Sequence, residues 1–270
     1  MASTLATTSS NRIDTRFDSL RVSNGKALVC YVTAGFPDAN STVDVLRMLE
    51  SEGADVIEVG VPFSDPIADG PVIQNSSQRA LDGGMTLDGV LDIVSRAQLH
   101  TPTVLFSYLN PLLAAGDDLP ARAGEAGVDG VLVTDLPVGS DPVREDWLGE
   151  SELAFIRLVA PTTPAERMRL IARHGSGFVY LISRLGVTGA RADLPLDLAH
   201  TAGTLRACTD LPVCVGFGVS TPQHARAVAR IADGVVVGSA LVSAVGESLE
   251  AAAALTRSLR AALDEAVVDG

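Results

Sequence analysis

The sequence predicts a single α/β domain folded as a (β/α)8 barrel of the TIM type. Eight short runs rich in aliphatic residues recur along the chain, and segments with helical spacing of apolar residues separate them. Alternation of this kind is typical of parallel strands joined by crossover helices. The length of 270 residues fits one such barrel, for which about 250 residues is typical.

The eight predicted strands follow one another at regular intervals. In chain order they read ALVCYVT, DVIEVGV, PTVLFSY, GVLVTD, AFIRLVAP, GFVYLIS, PVCVGFG and DGVVVG. Apolar residues recur at i, i+3 and i+4 in the predicted helices STVDVLRMLESEG, TLDGVLDIVSRAQ, TPAERMRLIARHG and STPQHARAVARIAD. Several of them begin at Ser or Thr, as helix N-caps do. Eight βα units favour a closed barrel over an open doubly wound sheet, and no G-x-G-x-x-G motif opens a helix after the first strand. No repeat of the sequence itself accompanies these units.

The domain boundary is predicted near the N-terminus, with a flexible segment over residues 1–12 and the barrel over residues 13–270. The opening MASTLATTSSNR is rich in Ser, Thr and Ala and lacks the basic start and apolar stretch of a signal peptide. The longest apolar runs are shorter than the roughly 18 residues that a membrane-spanning helix needs. We therefore expect a cytoplasmic protein.

The composition sets the broad class of the protein. With 47% hydrophobic and 20% charged residues, the chain can bury a large core. A formal charge of -13 and a pI near 4.6 argue against a nucleic-acid-binding protein, because such proteins concentrate Lys and Arg on one face. The three cysteines, Cys30, Cys208 and Cys214, show no metal-ligand spacing, so we expect them to pack in the core.

The stretch ADVIEVGVPFSDPIADGP places a glutamate inside an apolar strand and two aspartates in the loop that follows. Because side chains alternate along a strand, Glu58 shares a face with Val56 and Gly60, whereas the opposite face is purely aliphatic. Glu58 is expected to point into the barrel near its carboxyl end, where the active site of such barrels lies and where burial raises a carboxyl pKa. The structural alternative is a polar residue satisfied by a neighbouring donor. Spacing alone makes Asp65 and Asp69 turn or cap residues more readily than chemical groups.

The residues that could replace carboxylates as bases are few and badly placed. Lys26 is the only lysine and precedes the first strand, at the end of the barrel away from the expected site. The four histidines, His100, His174, His200 and His224, fall in or beside crossover helices, which argues against a histidine base or an imidazole metal site. Acid–base chemistry is therefore assigned to carboxylates.

Glycine-rich turns follow the last three predicted strands, in SRLGVTGAR, GFGVS and VVGSALV. Backbone N–H groups in such turns can converge on an anion, and the loops after strands seven and eight are the usual phosphate site of this barrel. The candidates are Gly189, Gly218, Gly238 and Ser239. They predict a phosphorylated substrate without identifying it, although any βα connection can also need a glycine.

Seven motifs in this order resemble the tryptophan synthase alpha chain family. They are IEVGVPFSDPIADGPVIQ, SYLNPL, AGVDGVLVTDLP, LVAPTTP, SRLGVTGAR, GFGVS and VVGSALV. The resemblance covers the chain from about residue 28 to about residue 245. The resemblance implies a carbon–carbon lyase that cleaves indole-3-glycerol phosphate to indole and D-glyceraldehyde 3-phosphate in L-tryptophan biosynthesis.

The resemblance also assigns roles to individual residues. It places the catalytic glutamate of the family at Glu58 and its catalytic aspartate at Asp69. An aromatic contact to the substrate falls at Tyr180 and the threonine of a mobile loop at Thr188. The implied walls of the indole slot are Tyr31, Phe106 and Tyr108, and the implied phosphate cradle coincides with Gly189, Gly218, Gly238 and Ser239.

The implied chemistry accounts for the lack of a lysine in the site. A retro-aldol cleavage needs an electron sink, and protonation of indole at C3 turns the ring of the substrate into one, so neither a cofactor nor a metal is expected in this chain. Glu58 would protonate C3 and accept the proton of the side-chain hydroxyl as the bond breaks. Asp69 would accept a hydrogen bond from the ring N–H and stabilise the positive charge of the ring. Asp65 is expected to be a structural loop residue that could face a partner.

The implied partner is a tryptophan synthase beta chain that carries pyridoxal phosphate (PLP), in an α2β2 complex in which indole passes to the beta chain. The loop TDLPVGSD after strand four would belong to the partner surface, but Gly139 and Ser140 stand where many family members carry an acidic pair. A free-standing lyase that releases indole is the alternative. A third hypothesis is a barrel without catalytic activity that activates a partner enzyme. The presence of Glu58, Asp69 and Thr188 argues against it. Other phosphate-binding barrels, such as indole-glycerol-phosphate synthase and triosephosphate isomerase, rely on a site lysine.

Overall fold

The predicted closed barrel is confirmed by the computed structural model, which describes residues 11–183, 196–216 and 218–268. Eight parallel strands pair in the order β1 to β8, and β8 returns to β1. They are β1 (Ala27–Thr33), β2 (Val56–Gly60), β3 (Thr103–Ser107), β4 (Gly130–Val133), β5 (Ala154–Val159), β6 (Val179–Ile182), β7 (Val213–Gly216) and β8 (Gly234–Val237). Each strand lies within the apolar run that predicted it.

The described ranges contain twelve helices, more than strict alternation requires. They are α1 (Arg12–Val22), α2 (Ala39–Ser51), α3 (Pro71–Asp82), α4 (Leu87–Ala97), α5 (Leu109–Ala114), α6 (Leu119–Glu125), α7 (Pro142–Gly149), α8 (Ala165–Arg173), α9 (Leu196–Arg206), α10 (Pro222–Ala229), α11 (Ser239–Glu247) and α12 (Leu249–Val268). The four predicted helices correspond to α2, α4, α8 and α10. None of the helices described is both long and apolar enough to cross a membrane.

Helix α1 covers the end of the barrel where the strands begin, which we call the floor. Its residues Ile13, Phe17 and Leu20 are spaced four and three apart and pack with the inward-facing residues of the strands. Asn11 is the N-cap of α1 and accepts a hydrogen bond from the Ile13 N–H at 2.9 Å. The last two residues of the predicted flexible segment, Asn11 and Arg12, therefore belong to the folded barrel, and residues 1–10 lie outside the described ranges.

The side chains of β2 alternate as predicted. Val56 packs with the inward cluster, whereas Ile57 and Val59 belong to the layer between strands and helices. Glu58 pairs in register with Tyr31 of β1 and is buried. The alternation therefore directs Glu58 into the barrel.

The floor carries a repeated contact just before each even-numbered strand, which we call a floor clasp. In each clasp, a side-chain oxygen accepts a hydrogen bond from the backbone N–H of one residue in the preceding odd-numbered strand. The residue that carries this oxygen also donates its own N–H to the carbonyl of the same strand residue. The four clasps are Asp55 to Leu28 at 2.6 Å, Asp129 to Thr103 at 2.8 Å, Ser176 to Phe155 at 2.8 Å, and Asp233 to Val213 at 2.9 Å. Arginines pair with the three aspartates: Arg16 and Arg260 with Asp55, Arg12 with Asp129, and Arg206 with Asp233.

Candidate active site

A cavity opens at the carboxyl ends of the strands, opposite the floor. Eight of the predicted site residues line it: Tyr31, Glu58, Asp69, Phe106, Tyr180, Gly218, Gly238 and Ser239. The structure therefore brings the two predicted catalytic carboxylates and most of the predicted binding residues together. Thr188 and Gly189 lie outside the described residues.

Glu58 is a buried carboxyl group that faces this cavity. Its side chain is 1% exposed, and neither carboxyl oxygen has a hydrogen-bond partner within the part of the chain that the structure describes. Burial raises the pKa of Glu58 to about 8, because the charged form loses its hydration. The side chain is therefore largely protonated at neutral pH, and the alternative of a Glu58 satisfied by a neighbouring donor has no support in the described residues.

Asp69 reaches the cavity from the loop between β2 and α3. The Asp69 N–H donates to the Pro66 carbonyl at 3.1 Å, which bends the loop, and α3 begins two residues later at Pro71. Burial raises the pKa of Asp69, and a hydrogen bond from Tyr108 partly offsets that rise. Asp65, by contrast, is exposed and accepts the Ser64 hydroxyl at 2.6 Å, in agreement with its expected role in the loop.

Aromatic rings form the wall beside Glu58. Tyr31 and Phe106 pack edge to face, with ring centroids 5.1 Å apart and planes 77° apart. Tyr31 also leans over Gly60 and Tyr180 over Gly216, where a Cβ atom would collide with the phenol. The glycines therefore make room for two tyrosines inside the barrel, and the result is a flat, largely apolar slot suited to an aromatic ring.

Tyr108 is not among the residues that line the cavity, which differs from the prediction. Strand β3 ends at Ser107 and Tyr108 is the N-cap of α5, so the alternation that directs Phe106 inward no longer holds at residue 108. Its hydroxyl accepts the Ala68 N–H at 2.9 Å, and its ring centroid is 5.1 Å from that of Phe63. Tyr108 thus supports the loop that carries Asp69.

The opposite end of the cavity offers backbone donors for an anion. Helix α11 begins at Ser239 with Gly238 as its N-cap, and four N–H groups at such an end have no partner within the helix. Gly218 adopts φ +90, a conformation that favours glycine, and Ser220 adds a hydroxyl group to the lining. No arginine, lysine or histidine is among the described residues of the lining. A phosphate here would therefore be held by backbone dipoles and hydroxyl groups.

Six lining residues were not predicted as site residues: Gly70, Ile73, Val219, Ser220, Val236 and Ala240. Val236 could have been found, because strand alternation places it on the inward face with Gly238. Val219 and Ser220 directly follow the predicted Gly218 turn. Ile73 had no comparable signal, since α3 was not predicted.

The basic residues lie where the sequence placed them. Lys26 precedes β1 at the floor, where its Nζ donates to the Ala232 carbonyl at 2.9 Å. His174 is the C-cap of α8, and His200 lies within α9. His224 lies in the first turn of α10, with its Nδ1 3.5 Å from the Ser220 hydroxyl oxygen. None of these side chains lines the cavity.

Comparison with known proteins gives one family. The family model described as tryptophan synthase alpha chain matches residues 17–267. The chain is 50% identical over 242 residues to the tryptophan synthase alpha chain of Desulfatibacillum aliphaticivorans, covering 88% of this chain and 91% of that protein. It is 46% identical over 253 residues to that of Caulobacter sp. strain K31, covering 92% and 90% respectively.

Solved structures agree with this result. A chain of aminoacrylate-bound tryptophan synthase from M. tuberculosis superposes with a TM-score of 0.85 at 35% identity, over 94% of this chain and 100% of that chain. Tryptophan synthase subunit alpha from Legionella pneumophila gives a TM-score of 0.87 at 38% identity, over 95% and 100%. Since the family model matches nearly the whole chain and relatives share up to half of their residues with it, the chain belongs to the tryptophan synthase alpha chain family.

Proposed function

We propose that this chain catalyses the retro-aldol cleavage of indole-3-glycerol phosphate to indole and D-glyceraldehyde 3-phosphate. The observation that carries this proposal is the buried carboxyl of Glu58, which lacks a partner among the described residues and faces the same cavity as Asp69. The family supports the same reaction. In this scheme the aromatic slot holds the indole ring, and the N-terminus of α11 holds the phosphate.

Glu58 is proposed to act as both acid and base. Because its pKa is raised to about 8, the side chain carries a proton at neutral pH and can deliver it to C3 of the indole ring. The resulting carboxylate then accepts the proton of the hydroxyl group next to the bond that breaks. The carboxyl group is thereby returned to its starting state within one turnover.

Asp69 is proposed to stabilise the charge that develops on the ring. Protonation of C3 leaves positive charge on the ring nitrogen, and a carboxylate that accepts the ring N–H stabilises that charge in a site that excludes water. The protonated ring is itself the electron sink, so the proposal includes no cofactor or metal in this chain. Tyr31, Phe106 and Tyr180 would hold the ring in place.

A tryptophan synthase beta chain that carries PLP is the proposed partner, which would take the indole within an α2β2 complex in the cytoplasm. The family and the likeness to chains of M. tuberculosis tryptophan synthase support this proposal. The local surface after β4 has its own geometry: Gly139 adopts φ +83, and its N–H donates to Glu145 Oε1 at 2.6 Å. An acidic residue at position 139 would be strained, which gives a reason for the glycine found there.

Indole release by the purified chain, alone and across a titration of its own beta chain, tests both parts of the proposal. We expect weak release by the chain alone and at least about tenfold activation by the beta chain, or roughly 1.4 kcal/mol of barrier. Full activity without any response to the beta chain would favour the free-standing lyase. Failure to release indole under every condition would reject the reaction itself.

A further inference from the structure

We propose that Tyr108 is a positioning residue that holds the Asp69 carboxylate in its catalytic orientation, an inference that rests on the proposed function. Tyr108 is not among the residues that line the cavity described above, and its hydroxyl group contacts the loop of Asp69 at Ala68. Its role would therefore be exerted through Asp69.

The backbone contact fixes the residue next to Asp69. Ala68 donates its N–H to the Tyr108 hydroxyl oxygen at 2.9 Å, and on the other side Gln74 donates its side-chain amide to the Asp69 carbonyl at 2.9 Å. The Tyr108 side chain is itself well held, since it is 3% exposed and packs against Phe63. The loop is thus tied to β3 through a rigid ring immediately before Asp69.

The hydroxyl proton of Tyr108 is free to serve the carboxylate. The hydroxyl oxygen accepts a hydrogen bond from the Ala68 N–H, so the hydroxyl hydrogen is directed to a different group. The Tyr108 hydroxyl also hydrogen-bonds the Asp69 side chain. Burial raises the pKa of Tyr108 to about 12, which keeps the hydroxyl protonated as a donor. A hydrogen bond to the carboxylate both orients Asp69 and favours its charged form, which the reaction requires.

Other ionisable groups around Asp69 belong to the same cavity. Among the described residues these are Glu58, Tyr31 and Tyr180, and Thr134 at the end of β4 also interacts with the Tyr108 hydroxyl. Among the described residues, Tyr108 hydrogen-bonds the side chain of Asp69, whereas Gln74 bonds only its backbone carbonyl. A change in the ionisation of Asp69 on removal of this hydroxyl would therefore report on Tyr108 itself.

Tyr108→Phe tests the proposal because it removes the hydroxyl and keeps the ring. With indole-3-glycerol phosphate and a saturating beta chain, we expect kcat to fall by about tenfold to a hundredfold, with a smaller change in KM, since a misplaced catalytic group can cost about 10² in rate. The acidic limb of the pH profile of kcat/KM should move to higher pH, because Asp69 loses the bond that offsets burial. Ser107→Ala is the matched control: it removes a neighbouring buried hydroxyl that donates to the Tyr108 carbonyl at 2.9 Å, and it should leave the acidic limb in place.

Two further measurements separate positioning from folding. 3-Fluorotyrosine at residue 108 keeps the hydroxyl as a stronger donor, so it should move the acidic limb to lower pH, opposite to the phenylalanine variant. In an Asp69→Asn background, Tyr108→Phe should cost much less than in the wild type, because the two changes act through one group. An unchanged pH profile in both residue-108 variants, or equal losses in both backgrounds, would overturn the positioning role. If the wild type itself releases no indole, the proposed function has failed instead.

Discussion

Glu58 on β2 stands in register with Tyr31 on β1, and both side chains face the same cavity. The phenol ring and the aliphatic barrel wall exclude water from the carboxyl group, and the described residues provide no donor in its place. Such desolvation is the physical origin of the raised pKa of Glu58. The barrel thus keeps a proton on a carboxyl group at neutral pH by packing alone.

Replacement of Glu58 by Gln should abolish cleavage and leave the fold intact. Glutamine fills nearly the same space but cannot transfer a proton, and loss of a positioned acid–base group costs about 10² to 10⁴ in rate, with more expected where it serves two steps. Single-turnover indole release measures the loss, with glycerol 3-phosphate binding as the control for an intact site. Asp69→Asn should be less severe, because the amide oxygen can still accept the ring N–H. Substantial turnover by the Glu58→Gln protein would remove Glu58 from the mechanism.

The same substitution should alter how stability depends on pH. The pKa of Glu58 in the folded chain, about 8, lies above its ordinary value of 4.5, so the native state binds more protons than the unfolded state between these values. This contribution to stability is complete below the lower value and is lost as the pH rises through the upper one. The glutamine of the Glu58→Gln protein stays neutral at every pH. The melting temperature of this variant, relative to that of the wild type, should therefore rise between about pH 5 and about pH 9. A constant difference between the two proteins across this range would contradict the burial argument.

Gly60→Ala should destabilise the protein and disturb the site. A Cβ at this position would lie within 2.8 Å of a ring carbon of Tyr31, so the ring must shift. Overpacking of this kind typically costs about 1 to 3 kcal/mol, and we expect kcat to fall with it. Gly203→Ala on α9 is the matched control: nothing lies within 4 Å of its Cβ position, and alanine is a better helix former. Equal melting temperatures for Gly60→Ala and wild type would show that Tyr31 yields without cost.

Ser239→Asp should abolish phosphate binding. In the wild type, glycerol 3-phosphate should raise the melting temperature by preferential binding to the native state. A carboxylate at the start of α11 would occupy the donors and repel the phosphate. Ser243→Asp, exposed one turn along the same helix, controls for the added charge. Gly218→Val should also remove protection, but its effect includes backbone strain because Gly218 has φ +90. If the Ser239→Asp protein is protected as well as the wild type, the phosphate binds elsewhere.

The barrel and the inward direction of Glu58 could be predicted because both depend on local regularity. Two-residue alternation on β2 suffices to place Glu58, and the βα order suffices to place the site. Tyr108 could not be placed in the same way, since its position depends on where β3 ends and α5 begins. The bond between its hydroxyl and Ala68 joins residues 40 positions apart in the sequence, which no local pattern encodes.

The floor clasps also could not be predicted from periodic patterns in the sequence. Three of them use Asp directly before a strand, but the fourth uses Ser176, three residues before β6. The change of residue type and of spacing hides the repeat, although the backbone geometry is shared. A search for repeated residues therefore misses what a search for repeated hydrogen bonds finds.

Because of these clasps, the contacts that hold the strands together and the loops that form the site lie at opposite ends of the barrel. They fasten the strands in pairs at the end of the barrel farthest from the substrate, through contacts that no mouth loop takes part in. Insertions and exchanges in the loops at the mouth can therefore accumulate without loosening the sheet. In evolution or in the laboratory, a new substrate specificity could therefore be selected in the loops at the mouth of the barrel, while the stabilising contacts at the floor stay unchanged.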